Sequence, residues 1–382
     1  MKQKFISLGL ALAMLLGVAG CNITTPATVG TIGGVEIPAG IYLLAQYNAY
    51  NTTASLVDFA TGESADDTGV VLNAEVTGTI NGEEVTTDGA DYISRLTMAS
   101  IEYYAAAEKL FDELGATLKD AATAEAASSA SSMWESNGDL YQANGIAQST
   151  LETYLLNAAK AQACMQVLYG PDGQQPVTDA EYEDFIRSDC LYIESITLPM
   201  VDYANYLYAF SDADMTAAIN DIADECVDYL QQNATAESSA TDAYAVMYAA
   251  ANQYIPQVMA AMGSTAETAQ ASSYVGSGLY LPSDLDTYAS GEDANVLTDP
   301  LLAADEGEWV KIDLTTSLVV ARRVDPMTRG DLASFQSGYD LLGAMNSEEI
   351  QNMLYEDGAA LEHALDQSAM DTYAASKVKY SV

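Results

Sequence analysis

Histidine is nearly absent from this sequence, because His363 is the only one among 382 residues. A Ser-His-Asp triad, a Cys-His pair or a multi-histidine metal site would have to be built around that one side chain. The stretch Gly358–Leu365 has a helical pattern, and we interpret His363 as a surface or groove histidine on a helix. The sequence therefore predicts no catalytic residue and no metal ligand.

Basic residues are also scarce: 13 Lys and Arg stand against 55 Asp and Glu, for a formal net charge of −42. Such a charge repels nucleic acid and anionic lipid surfaces, so a nucleic-acid partner is excluded. The simplest interpretation is solubility at a crowded, anionic cell surface. The hydrophobic content of 49% argues against disorder, and the chain is long enough for two domains.

The sequence contains few cysteines and no glycine-rich phosphate-binding loop. After Cys21 only Cys164, Cys190 and Cys226 remain. Three cysteines cannot all pair with one another, their spacing fits no zinc site, and we interpret them as small buried hydrophobes. The glycines of Gly276-Ser277-Gly278 lack the lysine and following helix of a phosphate loop, and no EF-hand loop occurs. No cofactor is predicted.

The N-terminal segment MKQKFISLGLALAMLLGVAGC has the three parts of a secretory signal. Lys2 and Lys4 precede an apolar run from Phe5 to Val18, and small residues then lead to Cys21. The last four residues, Val18-Ala19-Gly20-Cys21, resemble the lipobox of bacterial lipoproteins. That resemblance implies cleavage after residue 20, a lipid on Cys21 and anchoring to the outer face of the bacterial cell membrane. An ordinary secretory signal is the alternative.

Apolar periodicity and turn signals divide the mature chain into helical, mixed and helical parts. Gly170-Pro171-Asp172-Gly173 marks a linker, and a capping box at Thr178 and Glu181 opens the middle part. The predicted organisation is a signal peptide, a tether, a first helical part, an α+β domain and a second helical part, at residues 1–20, 21–30, 31–175, 176–327 and 328–382. We therefore predict a mainly α fold with an inserted α+β domain.

The predicted elements follow from these patterns. Helices are expected at about 39–50, 91–114, 118–134, 149–168, 178–187, 211–232, 242–262, 301–305 and 331–376, the last with a break near 346–347. Strands are expected at 31–38, around a hairpin turn at Asn81-Gly82, and at 190–198, 276–281, 309–314 and 318–324. Asp299 is expected to cap the helix at 301–305, with Pro300 in its first turn.

Four motifs carry a resemblance to a known family. Val29–Pro38 looks like its opening strand, and Val177–Phe185 (VTDAEYEDF) is similar to its entry into a parvulin segment. Leu302–Val310 and Thr316–Val324 resemble a later helix-turn and the final strand. In this order they resemble the lipoprotein foldase and periplasmic chaperone family that includes PrsA and SurA. The resemblance implies a chaperone domain formed by the N- and C-terminal helical parts, with a parvulin-type peptidyl-prolyl isomerase domain inserted between them.

The departures from that family concern the catalytic positions. Active parvulins place one histidine on the first strand and another on the last, and here Ser195 and Leu318 fall near those positions. Neither side chain replaces an imidazole, and we assign Cys190 no catalytic role because no base is available to it. The resemblance thus implies a degenerate parvulin-like domain and a membrane-anchored chaperone that binds unfolded or newly exported polypeptides. The oligomeric state stays open.

Other functions remain as alternatives. One is an active peptidyl-prolyl cis-trans isomerase with a rearranged site. Another is a solute-binding lipoprotein, a class that needs two α/β lobes with parallel strands, and a third is a structural surface lipoprotein. The 25 tyrosines against 6 phenylalanines suit a wet, adaptable binding cleft. They suit half-buried helix positions equally well.

Overall fold

The computed structural model describes residues 27–61, 68–264, 270–286 and 295–379. The predicted signal peptide and the predicted lipid-bearing Cys21 lie outside the described residues. The chain divides into two compact units, residues 1–167 with 348–382 and residues 168–347. These divisions fall before the expected boundary at 175/176 and after the expected one at 327/328. Each unit is described by itself.

The N-terminal part of the first unit combines long helices with two hairpins. Its elements are β1 (Thr28–Ile32), β2 (Val35–Pro38), α1 (Ala39–Thr61), α2 (Thr68–Asn73), β3 (Glu75–Ile80), β4 (Glu83–Asp88), α3 (Gly89–Leu114), α4 (Asp120–Ala143) and α5 (Gln148–Tyr169). Strand β1 begins within the predicted tether. The predicted hairpin turn is present, with Asn81 at φ +51° and Gly82 at φ +81° joining β3 to β4.

Helix α3 is defined by its caps and its buried face. The side chain of Asp88 accepts a hydrogen bond from the Asp91 amide at 2.9 Å, which caps the N-terminus. Gly115 adopts φ +61° and ends the helix, as predicted. Tyr92 and Ile93 are buried and pack in the same core as Leu44 and Tyr50 of α1. Burial of this apolar stripe, rather than propensity alone, stabilises the helix pair.

Helix α4 differs from the prediction. The expected break at residues 136–138 is a kink at Asn137, which has φ −137°, and the helix continues to Ala143. The second half continues because Tyr141 is buried, stacked on Trp134 and edge-on to Tyr47. Tertiary packing therefore overrides the local helix-breaking signal.

The second unit follows the linker. Its elements are α6 (Asp179–Ser188), β5 (Leu191–Pro199), β6 (Val201–Asp202), β7 (Leu207–Tyr208), α7 (Ala213–Asn233), α8 (Ala240–Ala261), β8 (Val275–Tyr280), α9 (Pro282–Asp286), α10 (Thr298–Ala303), β9 (Val310–Asp313), β10 (Ser317–Val324), α11 (Leu332–Gly338) and the first part of α12 (Leu341–Ala360). The predicted capping box is present: Thr178 and Glu181 exchange side-chain and backbone hydrogen bonds at the start of α6.

The described strands β8, β5, β10 and β9 form one antiparallel sheet in that order. Ile196 and Leu198 of β5 share one buried core with α7 and α8. Ile193 of β5 and Val319 of β10 belong to a separate core with α9 and α10 on the opposite face. The alternation of side chains along β5 therefore gives the sheet two differently covered faces.

The C-terminal part differs from the prediction in three places. The break in the last helical region lies at Tyr339 and Asp340, and α12 runs through residues 346–347. His363 lies in a short strand, β11 (His363–Leu365), which precedes α13 (Gln367–Thr372), so the helical interpretation was wrong. His363 pairs with Ile32 of β1, a partner that no local pattern reveals. Asp299 is the second residue of α10 rather than its cap.

Within the described part of the chain, none of the helices has both the length and the apolar character that crossing a bilayer requires.

Candidate functional site

An open groove covers the face of the second-unit sheet that carries Ser195. It encloses about 330 Å³ and is lined by β5, β10 and residues of β8, α9 and α10. Ser195 and Thr197 of β5 lie in it beside Val319 and Ala321 of β10. Gly276 of β8 pairs with Ser195, and a Cβ at this position would approach Ser195 Oγ to 3.1 Å. The glycine therefore keeps this part of the groove uncrowded.

The described lining of this groove, here called the sheet groove, is apolar and hydroxylic. Leucine, isoleucine, valine and alanine side chains alternate with the hydroxyl groups of serine, threonine and Tyr280. These described lining residues include no Asp, Glu, His, Lys, Arg or Cys. The sheet groove thus offers apolar contact and hydrogen bonds, but no carboxylate, imidazole or thiol for acid–base chemistry.

The structure does not bring Ser195 and Leu318 together. Ser195 pairs across the strands with Ala321, whereas Leu318 pairs with Leu198. Leu318 is fully buried in the core under α7 and α8, on the face opposite the sheet groove. Because paired residues share a face and neighbours along a strand alternate, Ser195 and Leu318 lie on opposite faces of the sheet.

The cysteines of the described chain are buried free thiols. Cys190 is 6% exposed, and burial, with a smaller contribution from the charge of Asp189, raises its pKa to about 11. Burial likewise raises the pKa of Cys164 to about 11 and that of Cys226 to about 12. All these thiols stay protonated near neutral pH, which makes them poor nucleophiles.

A buried charge network lies on the sheet face opposite the sheet groove. Glu194 of β5 accepts hydrogen bonds from Arg322 Nε at 2.8 Å and from Arg329 Nε at 2.6 Å. The three side chains are at most 2% exposed. Burial lowers the pKa of Arg322, and the neighbouring Glu194 carboxylate opposes that effect. This network, the Glu194 network, joins β5 to β10 and to the turn that follows β10.

The Glu194 network also reaches the helices. Arg322 Nη1 donates to the Ala234 carbonyl at the end of α7, and the guanidinium lies 4.7 Å from the ring centre of Trp309. Trp309 Nε1 donates to the same carbonyl at 3.1 Å. The carbonyl would otherwise be an unpaired helix end. The charges therefore hold the sheet and the helix end together, away from the sheet groove.

A second groove lies in the first unit and encloses about 550 Å³. Tyr42, Met98 and Met370 line it together with His363. Methionine side chains are unbranched and polarisable, so they adapt to ligands of varied shape. His363 Nε2 lies 3.3 Å from Glu102 Oε1, and burial raises the pKa of Glu102 while His363 partly opposes the rise. One imidazole beside one carboxylate ties β11 to α3.

A surface hairpin in the second unit went unnoticed in the sequence. Strands β6 and β7 pair Val201 with Tyr208 and Asp202 with Leu207. Residues 201–210, all of them described, expose four aromatic side chains: Tyr203, Tyr206, Tyr208 and Phe210 are 71%, 80%, 38% and 46% exposed. This segment is called the aromatic hairpin below. Asp and Asn turn residues between alternating tyrosines were the sequence signal that points to it.

The aromatic hairpin is ordered by one carboxylate. Asp202 Oδ1 accepts from the backbone amides of Ala204 and Asn205, at 3.0 and 3.2 Å. Its other oxygen accepts from Ser264 Oγ and from Asn205 Nδ2. These hydrogen bonds, with that from Ser264 the largest contribution, lower the pKa of Asp202 below its ordinary value. Asp202 at the base of the hairpin is therefore ionised near neutral pH, and both of its oxygens accept hydrogen bonds that fix the turn.

The described residues hold no group of three or more His, Cys, Asp or Glu side chains placed to bind a metal ion.

Comparison with known proteins gives one structural similarity. No protein-family model and no curated protein matches the chain. Among solved structures, the crystal structure of the foldase protein PrsA from Streptococcus pneumoniae aligns with 79% of this chain and 99% of its own. The sequence identity is 10% and the TM-score 0.35. Because this similarity is low, we base the functional proposal on the chain's own residues.

Proposed function

We propose that this chain is an exported, lipid-anchored, chaperone-like protein that binds unfolded, newly exported polypeptides without catalysing prolyl isomerisation. The observation that carries the proposal is the sheet groove: an open surface of apolar and hydroxyl side chains without an acid–base group among its described lining. Such a surface suits an extended polypeptide of variable sequence and offers little to a small charged solute.

The lining explains how binding can tolerate many sequences. Half-buried apolar side chains of the lining, such as Leu297 and Leu314, gain about 25 cal/mol for each Å² of apolar surface that a client covers, whatever the shape of the client residue. Hydroxyl groups such as Thr197 both donate and accept, so they can pair with backbone amides and carbonyls of an extended client. The methionine-containing groove of the first unit adds a second adaptable surface.

The same lining argues against isomerase activity. Rotation about a peptide bond has a barrier of about 18–20 kcal/mol. The resemblance implies histidines that polarise the site in active parvulins, and here Ser195 pairs with Ala321 at the centre of the groove. The strand pairs of the described residues are antiparallel, which also disfavours a solute-binding protein with parallel-stranded lobes.

Anchoring through Cys21 belongs to the proposal as well. A tether converts capture of an emerging client into a local event with a raised effective concentration. The net charge of −42 opposes direct adsorption to an anionic membrane, so a covalent lipid is the feature that keeps the protein there.

The test uses the chain from residue 22 onward and an unfolded test enzyme diluted from denaturant. We expect the protein to slow aggregation, measured by light scattering, and to give no rate above background in a protease-coupled proline-peptide assay. Ser195→Phe places a ring in the sheet groove and should weaken the protection. Ser272→Phe, at an exposed position outside that groove, is the matched control and should not.

Two results would contradict the proposal. Unimpeded aggregation of the test enzyme in the presence of the wild-type chain would refute the chaperone assignment. A measurable isomerase rate that Ser195→Phe abolishes would instead establish the rearranged-isomerase alternative.

A further inference from the structure

The aromatic hairpin exposes its rings although its base is held rigidly. Met200 and Ala209, which flank the paired strands, are buried in the core of the second unit, and the Ala209 amide donates to the Met200 carbonyl at 2.8 Å. Tyr203 and Tyr208 meet edge to face at 6.4 Å, and Tyr208 meets Phe210 in the same way at 5.8 Å. These rings are therefore exposed on an ordered hairpin, and their exposure does not result from fraying of the chain.

Tyr206 occupies a backbone conformation that does not favour a tyrosine. Its φ is +55°, in the left-handed region where glycine and asparagine are the usual residues, and its side chain is 80% exposed. The ring makes no packing contribution that offsets this conformational cost. Backbone strain at an exposed aromatic residue points to a role for the ring outside the fold itself.

The part of the chain that contains the aromatic hairpin carries charge of one sign. Between Arg187 and Lys311 the sequence contains no Lys or Arg, but 20 Asp and Glu residues. Asp202 is charged at the hairpin base, and exposed Asp212 and Asp214 follow at the start of α7. Aromatic rings in a negative field favour a ligand with both apolar and cationic groups.

We infer that the aromatic hairpin is a docking surface for unfolded polypeptide segments that combine basic and apolar side chains. This inference rests on the proposed function and names the class of client. Lysine and arginine of the segment lie over the tyrosine rings and near the carboxylates, while apolar residues cover the ring faces. The hairpin directly follows β5, and Met200 and Ala209 beside it pack in the core shared with α7 and α8, so it is a separate contact surface of the second unit.

Two other occupants fit the charge less well. An anionic lipid surface is repelled by the acidic surroundings of the aromatic hairpin. A second copy of the chain carries the same excess of acidic residues, −42 in all, and is repelled for the same reason. A basic polypeptide is attracted, and rigid aromatic rings lose little conformational freedom on binding.

The test measures binding of two fluorescent peptides by anisotropy to the chain from residue 22 onward. The peptides share the same apolar residues, and their polar positions carry Lys and Arg in one and Asp and Glu in the other. We expect the basic peptide to bind at least about tenfold more tightly, and to lose affinity as salt screens the carboxylates. The double variant Tyr203→Ser/Tyr206→Ser should bind it about tenfold more weakly.

Two variants separate binding from folding. Tyr206→Gly suits the left-handed backbone, so it should keep the thermal stability of the wild type while weakening binding of the basic peptide. Tyr244→Ser/Tyr248→Ser removes a stacked pair of exposed tyrosines from α8 and should leave binding unchanged. If the α8 variant loses as much affinity as the hairpin variant, nonspecific binding to exposed aromatic side chains explains the result and the inference is wrong.

The remaining outcomes distinguish this inference from the proposed function. If the wild type slows aggregation and the hairpin double variant binds the basic peptide as tightly as the wild type, the inference is wrong and the proposed function stands. If the hairpin binds the basic peptide but the wild type does not slow aggregation, the proposed function is wrong and the docking surface stands. Hairpin-dependent binding to anionic vesicles, or hairpin-dependent dimerisation, in place of peptide binding overturns the inference.

Discussion

Removing the carboxylate of the Glu194 network should destabilise the second unit strongly. Glu194→Ala leaves the guanidinium groups of Arg322 and Arg329 buried without their shared anion. Both side chains are at most 1% exposed, so water cannot replace the lost partner without opening the sheet. The change therefore tests whether the sheet depends on the buried charges.

The expected magnitude follows from the contacts that are lost. Each hydrogen bond to the carboxylate is charge-assisted and contributes about 1.5–3 kcal/mol. Arg322 keeps the Ala234 carbonyl and the Trp309 ring, and Arg329 keeps Thr328, so the loss is partial. Breaking a buried pair costs about 3–5 kcal/mol, and we take about 4 kcal/mol. For a unit of this size the unfolding midpoint should fall by about 8–16 °C.

The chain provides its own reporter for this measurement. Trp309 lies beside Arg322 in the second unit, whereas Trp134 lies in the first. A Trp134→Phe background leaves Trp309 fluorescence as the signal for unfolding of the second unit. Glu183→Ala, at an exposed position of α6, is the matched control and should change stability by less than about 0.5 kcal/mol.

Glu194→Gln refines the test, since it keeps an acceptor oxygen but removes the charge. Its effect should lie between those of Glu183→Ala and Glu194→Ala. If Glu194→Ala lowers the free energy of unfolding by less than about 1 kcal/mol, the buried network does not stabilise the sheet and the reasoning fails.

Three further predictions address the anchor, the thiols and the aromatic hairpin. Cys21→Ala should move the protein from the membrane fraction to the soluble fraction or leave its signal uncleaved; membrane retention at the wild-type level contradicts a lipid anchor. With their raised pKa values, Cys164, Cys190 and Cys226 should resist a thiol reagent at pH 8 until denaturant is added, and rapid labelling of the native chain contradicts their burial. The pKa of Asp202 is lowered in the folded state, so hairpin order seen by NMR should persist above about pH 4 and decline below it, and Asp202→Asn should remove that dependence.

Local sequence signals correctly predicted the structural features that depend only on neighbouring residues. The capping box at Thr178 and Glu181, the turn at Asn81-Gly82 and the stop at Gly115 each satisfy backbone requirements within a few positions. Physical rules for these positions act at short range, so the sequence predicts them directly.

Features that depend on distant partners were missed. His363 belongs to a strand because β1, at the other end of the chain, pairs with it. Ser195 faces Ala321 because the β5–β10 register places them opposite each other, and an offset of one residue exchanges the two faces of a strand. The sequence predicted both strands but not their register, so it could not tell which residues of β10 share a face with Ser195.

Buried charge and the sheet groove lie on different faces of the second-unit sheet. The buried ions of the Glu194 network lie on the helix-covered face, whereas the sheet groove opposite contributes apolar and hydroxyl contacts. Substitutions at Ser195 or Ala321 in the groove therefore remove no member of that buried network. A groove whose described lining offers apolar and hydroxyl contacts is suited to binding, as the proposed function requires.

The acidity of the chain also affects how the protein can stay at a membrane. In the proposed function, the negative charge of the chain attracts basic client segments but also repels the anionic membrane from which new clients would emerge. Reducing the charge would relieve that repulsion at the expense of client attraction. In the proposed function, a covalent lipid on Cys21 resolves the conflict, because hydrocarbon insertion holds the protein at the membrane independently of its charge. In that proposal the anchor and the acidic binding surface are complementary, because the anchor offsets the repulsion that the acidic surface causes.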